Sequence, residues 1–424
     1  MLHNDSLAPK HPRILLVAPP GSYRVAPYIE AARRLNTAIE IASNGKYSLV
    51  SEIASGLHIN FDDPAAAIAT IIRAASQHGY AGIIAADDIA GEIASAAAQA
   101  LGLPHNPPGA VHFTRWKHQA RAKLKAAGLP VPDHWLVNIA GALAGRLPDI
   151  LFPCVVKPLN LSASRGVIRA DNPSQLHAAI QRINAIVAQL PEQEARATLL
   201  VEHYIPGPEI ALEAMLMHGR LIPIAVFDKP DPLEGPYFEE TYYVTPSRLP
   251  ALLQDKAIQT IERACQTYGL TTGPIHAEIR FHQDTPYIIE VAARTIGGDC
   301  ARLLEYASGY SLESLVIQFA MGNTVDIKPF NQAAGVLMLP TPRSGILRRV
   351  EGVLAALKVP HINAVHIAVR EGHELISLPE GASYLGFIFA SAPSPEQVET
   401  ALRQAYAQLN VVVDPLWRIE GKPS

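Results

Sequence analysis

The stretch richest in chemistry is Gly273 to Asp299, GPIHAEIRFHQDTPYIIEVAARTIGGD. Its first half alternates His276, Glu278, Arg280 and His282 with Ile275, Ala277, Ile279 and Phe281, the period of two expected of a strand with one buried face. Its second half, Tyr287 to Ala292, is apolar except for Glu290. A turn of Gln283, Asp284 and Thr285 centred on Asp284 sets Glu278 opposite Glu290, each six residues from that centre. Directly opposed residues on paired strands hold their Cβ atoms about 5 Å apart. Two carboxylates at that spacing repel, and a glutamate in an apolar run is costly to bury without a partner. A divalent cation removes both difficulties, since magnesium takes oxygen donors, needs few carboxylates and completes its shell with phosphate oxygens. The alternatives are an exposed glutamate, or a pair with Arg280 or Arg294.

Two further segments carry groups suited to a nucleotide. In Phe152 to Val167, FPCVVKPLNLSASRGV, Lys157 ends a strand-like run, and Ser162, Ala163, Ser164 and Gly166 follow in a small-residue loop. A lysine at a strand end offers a point charge to a phosphate, and small residues let backbone N–H groups approach phosphate oxygens. The spacing is neither a Walker A loop nor GxGxxG, and taken alone it reads equally as a hairpin loop. In Leu200 to Glu213, LVEHYIPGPEIALE, Glu202 and Glu209 flank the rigid hinge Ile205-Pro206-Gly207-Pro208. Backbone groups of a hinge can read adenine, and a carboxylate can accept from ribose hydroxyls. A solvated loop is the plainer reading.

Together and in this order, the three segments resemble the ATP-grasp superfamily, over roughly residues 110 to 390. The resemblance implies ATP as cofactor, with magnesium or manganese. It implies that Lys117 and Lys157 contact the phosphates and that the loop of Ser162, Ser164 and Gly166 folds over them. Glu202, Tyr204 and Ile205 would hold adenine, Glu209 the ribose, and Glu278 and Glu290 the metal ions. Arg294, with Lys157, would act catalytically on the transferred phosphoryl group. One departure stands out. Most members carry Asn two residues after the second glutamate as a further ligand, whereas here Ala292 follows Glu290 and cannot ligate.

The ending Glu290-Val291-Ala292-Ala293-Arg294 is similar to that of bacterial L-amino-acid ligases and carnosine synthase-type enzymes, as are Pro223 to Lys229 and Phe238 to Pro246. This places Glu240, His276 and Arg294 near an amino-acid substrate, although Glu240 reads equally as a loop carboxylate and His276 as a satisfied polar residue. The implied activity is ADP-forming ligation of a carboxylate to an amine through an acyl phosphate, with small amino-acid substrates. The alternatives are a carboxylating enzyme of the biotin carboxylase or purine-pathway type, and a non-catalytic nucleotide-binding protein.

The elements that position these residues follow from periodicity. Short aliphatic runs alternate with helical patterns from Arg13 to Leu101, which indicates a parallel sheet covered by helices. After Pro104 to Pro108 comes a cationic helix, Arg115 to Ala127, and then strand-like runs at Leu199 to Tyr204, Ile210 to Met217 and Leu221 to Phe227, with His218-Gly219 as a turn. The expected fold is therefore α/β and α+β: an N-terminal parallel domain over 1–113, an ATP-grasp domain over 114–328, and a lid-like domain over 329–424. Only the extreme termini suit disorder.

Composition narrows the function. The 424 residues exceed one ordinary core. A formal charge of -4 lacks the basic excess of a nucleic-acid binder. Cys154, Cys265 and Cys300 are far apart and odd in number, so neither a disulfide framework nor a zinc site is expected and a reducing cytoplasm fits. No apolar run reads as a membrane span. The oligomeric state is open, with a homodimer the commonest arrangement.

Overall fold

The computed structural model describes residues 12–44, 55–325 and 327–416, so the extreme termini lie outside it. Strands β1 (Arg13–Val17), β2 (Ala38–Ser43), β3 (Ser55–His58) and β4 (Gly82–Ala85) form a parallel sheet in the order β3-β2-β1-β4. Ile14 to Val17 are fully buried, as expected of a strand covered on both faces, and the helices Val25–Arg34, Pro64–His78 and Gly91–Ala100 supply the cover. The cationic segment forms two helices, Pro108–Arg115 and Lys117–Ala126, separated by the extended backbone of Trp116.

A small antiparallel sheet follows: β5 (His134–Asn138), β6 (Cys154–Pro158), β7 (Ile168–Ala170) and β8 (Thr198–His203), in the order β5-β8-β6-β7. Its apolar face packs on the helix Pro173–Val187, with Val156, Ile180, Ile183 and Val201 in a core of its own. That helix starts where its sequence dictates, with Asn172 accepting from the Gln175 N–H and Pro173 in the first turn.

The largest sheet is antiparallel and has eight strands. Its members are β9 (Glu209–Met217), β10 (Arg220–Asp228), β11 (Tyr242–Thr245), β12 (Gly273–His282), β13 (Thr285–Ala292), β14 (Ala333–Leu339), β16 (Ile362–Ile367) and β18 (Gly386–Ala392). The order is β13-β12-β9-β10-β11-β14-β18-β16, so strands on either side of residue 328 are joined by the β11–β14 ladder. One core runs through Leu16, Phe227, Tyr243, Ile296, Met338 and Phe389, fusing the N-terminal sheet to this one. A three-stranded sheet of β15 (Gly345–Glu351), β17 (Glu374–Leu375) and β19 (Asn410–Asp414) completes the C-terminal part. Among the described residues no helix is long and apolar enough to cross a membrane.

Candidate functional site

A cleft of about 710 Å³ lies between the small sheet and the eight-stranded sheet. It is lined by Lys117, Lys157, Ser162, Ser164, Glu202, Tyr204, Ile205, Glu209, Glu240, Glu278 and Glu290, residues drawn from segments far apart in sequence. Of the residues singled out above, Gly166, His276 and Arg294 lie outside the lining.

Glu278 and Glu290 are paired across β12 and β13, but by a different route from the one the turn suggested. His282 pairs with Thr285, so the turn is the two residues Gln283 and Asp284, whose φ angles of 49° and 60° are those of a tight hairpin. That register would place Glu278 opposite Ile289. A bulge between Glu278 and Ile279 takes up one residue and restores the pairing with Glu290. Neither carboxylate is left to repel the other. Glu290 accepts from the Lys117 ammonium at 3.2 Å, and Glu278 lies 3.4 Å from the Lys229 ammonium and 3.8 Å from His276 Nε2. The partners are thus lysines and a histidine, where Arg280 or Arg294 was the alternative.

Lys229, at the end of β10, was not foreseen as a functional residue. Its side chain is 3% exposed and sits among three carboxylates: Glu209 at 2.7 Å, Glu278, and Glu240, to which it also donates. Oxygens of Glu209, Glu240 and Glu278 lie within 4.8 Å of one another, so one ammonium serves three acids. Burial and the nearby Glu278 push Glu240 up to about 7 despite Lys229. Burial works against Glu278 as well, yet Lys229 and His276 hold its carboxyl well below the usual range. These are hard oxygen donors of the kind magnesium takes, so the residues present fit a divalent cation at Glu278. The tightest acid group, however, adds Glu209 and Glu240 to Glu278 and leaves Glu290 with Lys117. A lysine closing an apolar strand, the pattern that drew attention to Lys157, is the signal that marks Lys229.

At the hinge the balance is reversed. Glu202 is 2% exposed and accepts from Lys157 at 2.5 Å and from Arg121, two cations for one acid. Burial alone would raise its pKa, but the two cations bring it down to about 2. Arg121 lies one helical turn from Lys117, and it also donates to the Ile289 carbonyl on β13. Arg280 lies on the cleft-facing side of β12. It donates to Glu209 at 2.6 Å and to the hinge carbonyl of Ile205 at 2.9 Å, and stacks over Tyr204 with 5.1 Å to the ring centre. Arg169 covers Tyr204 at 4.4 Å.

The turn of Ser162 to Gly166 borders the cleft, with Ala163 and Ser164 at φ 53° and 54°. Gly166 serves a packing role: a Cβ there would fall 2.8 Å from Pro158 Cγ, and its N–H donates to the Pro379 carbonyl. His276 is buried with Nδ1 3.1 Å from Glu213, which also accepts the Ile296 N–H. Burial opposes its protonation, but Glu213 and Glu278 raise it to about 9. Arg294 donates to Asp88 at 2.9 Å, beyond the end of β4, which ties the end of β13 to the N-terminal sheet.

Comparison with known proteins agrees with this fold. Residues 150–302 match an ATP-grasp domain model, and residues 337–414 match the model for L-amino acid ligase C-terminal domain 2. The fold is similar to the crystal structure of L-amino acid ligase from Bacillus licheniformis, at TM-score 0.79 and 25% identity, covering 96% of this chain and 100% of that one. In sequence, carnosine synthase 1 of Gallus gallus is 29% identical over 280 residues, 61% of this chain and 29% of that protein. Alanine–anticapsin ligase of Bacillus subtilis is 24% identical over 274 residues, 61% of this chain and 57% of that protein. The chain therefore spans about half the length or less of these two curated relatives.

Proposed function

We propose that this chain, which carries an ATP-grasp domain and an L-amino acid ligase C-terminal domain, is an ATP-dependent ligase joining a carboxylate to an amine, with amino acids as the substrates. The observation that carries the proposal is the charge gradient along the cleft. Its hinge side holds two cations on one buried acid, and the side facing it holds three acids around Lys229, with Arg280 on one of them.

A nucleotide laid along that gradient has its adenine against Tyr204 and Ile205, its ribose near Glu209 and its phosphates beside Lys117, Lys157 and the turn at Ser162 to Gly166. Magnesium, held by Glu278 and by Glu290 or Glu240, supplies charge neutralisation when bound. A substrate carboxylate oxygen then attacks the γ-phosphorus, the bond to the β-phosphate oxygen breaks, and ADP leaves. The amine nitrogen attacks the carbonyl carbon of the acyl phosphate, phosphate departs with the former carboxylate oxygen, and the nitrogen loses a proton. Little covalent help is needed from the protein, so positioning and neutralisation do most of the work. Lys157 and Lys117 exchange their present partners Glu202 and Glu290 for phosphate, while Asp88 aims Arg294 at the transferred group. The turn at Ser162 to Gly166 keeps water from the acyl phosphate. The three buried cysteines suit a reducing cytoplasm.

The test is nucleotide and product analysis by mass spectrometry across a panel of amino acids and small carboxylates. ADP, phosphate and a condensation product that needs both partners support the reading. AMP, or ADP release that responds to bicarbonate and ignores amino acids, overturns it.

A further inference from the structure

The turn that borders the phosphate end of the cleft has little of its own to hold it. Its internal bonds are those of the Arg165 N–H to Ser162 O at 3.2 Å and the Val167 N–H to Ser164 O at 3.1 Å. Ala163 and Ser164 both adopt left-handed backbone, which L-residues disfavour. Support comes instead from the C-terminal part of the chain. The Pro379 carbonyl accepts the Gly166 N–H at 2.9 Å, and the Glu380 carbonyl accepts from Arg165 Nε at 3.0 Å. The Glu380 carboxylate grips Arg182, on the helix that covers the small sheet, through Nε at 2.5 Å and Nη2 at 2.9 Å. The grip is rigid at its base, because Gly381 closes a tight turn in which a Cβ would fall 1.9 Å from the Ile376 carbonyl.

We infer that Glu380 is a positioning residue: through Arg182 and Gly166 the segment Pro379–Glu380 latches the small sheet and its turn in the shape that covers the cleft. The small sheet has a core of its own, so contacts at its rim help to set its position over the cleft. A bidentate arginine–carboxylate pair fixes direction as well as distance. The pair is about two-fifths exposed on each side, so its effect is graded, closing the turn more often without locking it. The consequence for nucleotide binding rests on the function proposed above, whereas the latch itself does not.

Hydrogen exchange of residues 162 to 166 in the full-length protein without nucleotide tests the latch directly. Glu380→Ala and Arg182→Ala should each speed exchange there by about two- to fivefold, the range of an exposed ion pair. The double variant should add little to Arg182→Ala, which also gives up the Tyr237 hydroxyl, and exchange in β9 and β12 should hold. The swapped pair, Glu380→Arg with Arg182→Glu, should recover part of the protection. In turnover, KM for ATP should rise with kcat nearly constant. Unchanged exchange in the single variants, additive effects in the double, or a fall in kcat with KM unmoved would each overturn the assignment. The exchange arm needs neither nucleotide nor turnover, so failure of the ligase reading leaves it standing.

Discussion

Two buried charge clusters face each other across the cleft, and their stoichiometries differ. At the hinge, Arg121 and Lys157 share Glu202, whose carboxyl is brought down to about 2. On the central sheet, Lys229 is shared by Glu209, Glu240 and Glu278, with Arg280 also on Glu209 and His276 beside Glu278, and Glu240 is pushed up to about 7. The first cluster has positive charge to lend to an anion. The second holds more acids than it has cations directly on them, and under the proposed function a cation arriving with the nucleotide would balance it. Under the proposed function, such a cleft suits a ligand with an anionic chain that brings its own divalent cation, which is what a magnesium-bound nucleoside triphosphate offers.

Removing the cation that all three acids of the second cluster share should have the largest effect on stability. Lys229→Met leaves three acids together without an ammonium, and breaking a buried pair from one side costs about 3–5 kcal/mol. Urea unfolding at neutral pH measures it, and a loss below about 1 kcal/mol would mean that the carboxylates had already protonated. Next comes the acid limb of the hinge cluster. Because the folded-state pKa of Glu202 is depressed from 4.5 to about 2, its contribution is full above pH 4.5 and is lost as the pH falls toward 2. The amount is on the order of 3 kcal/mol. Unfolding midpoints followed across that window should fall less steeply in Glu202→Gln than in the parent, and parallel curves would remove Glu202 as the source.

Lys157→Ala sharpens the comparison from the ligand's side. From sequence alone this lysine reads as a charge held for phosphate, with no part in the fold. The structure buries it against Glu202, so its loss should lower stability by about 1–2 kcal/mol, Arg121 remaining as partner. Calorimetry should also show ATP affinity reduced at least tenfold, and unchanged affinity in a folded variant would take Lys157 out of the cleft's work. The smallest change in stability belongs to Glu290→Gln. Its pair with Lys117 is partly exposed, 25% and 15%, and is worth about 0.5 kcal/mol. Turnover should nonetheless be lost, and a fully active variant would assign the metal to Glu278 with Glu209 and Glu240 instead.

Much of this site could be read from residue order because local rules govern it. Alternation along Gly273 to His282 put Glu278 and Arg280, which line the cleft, on one face of β12 together with His276 and His282, which do not, and the prolines of the hinge marked the end of β8. The Glu278–Glu290 pairing came out through two compensating differences, a shorter turn and a bulge, and neither has a residue signature strong enough to foresee. What stayed hidden depends on distant partners. Lys229 meets Glu278 only because β10 and β12 both pair with β9, and Asp88 meets Arg294 across 206 residues. The β11–β14 ladder that carries the sheet past residue 328 is likewise a tertiary pairing, since Tyr242 to Thr245 is too short a run to announce its neighbour.

The central claim is that a carboxylate becomes an acyl phosphate before the amine attacks. Supplying an accepted amino acid with its carboxylate labelled in ¹⁸O, together with ATP, magnesium and the second substrate, follows the oxygen that moves. The account predicts one labelled oxygen in the inorganic phosphate for each condensation product formed, with unlabelled ADP. Label appearing in AMP, or phosphate released without label while product accumulates, would contradict it.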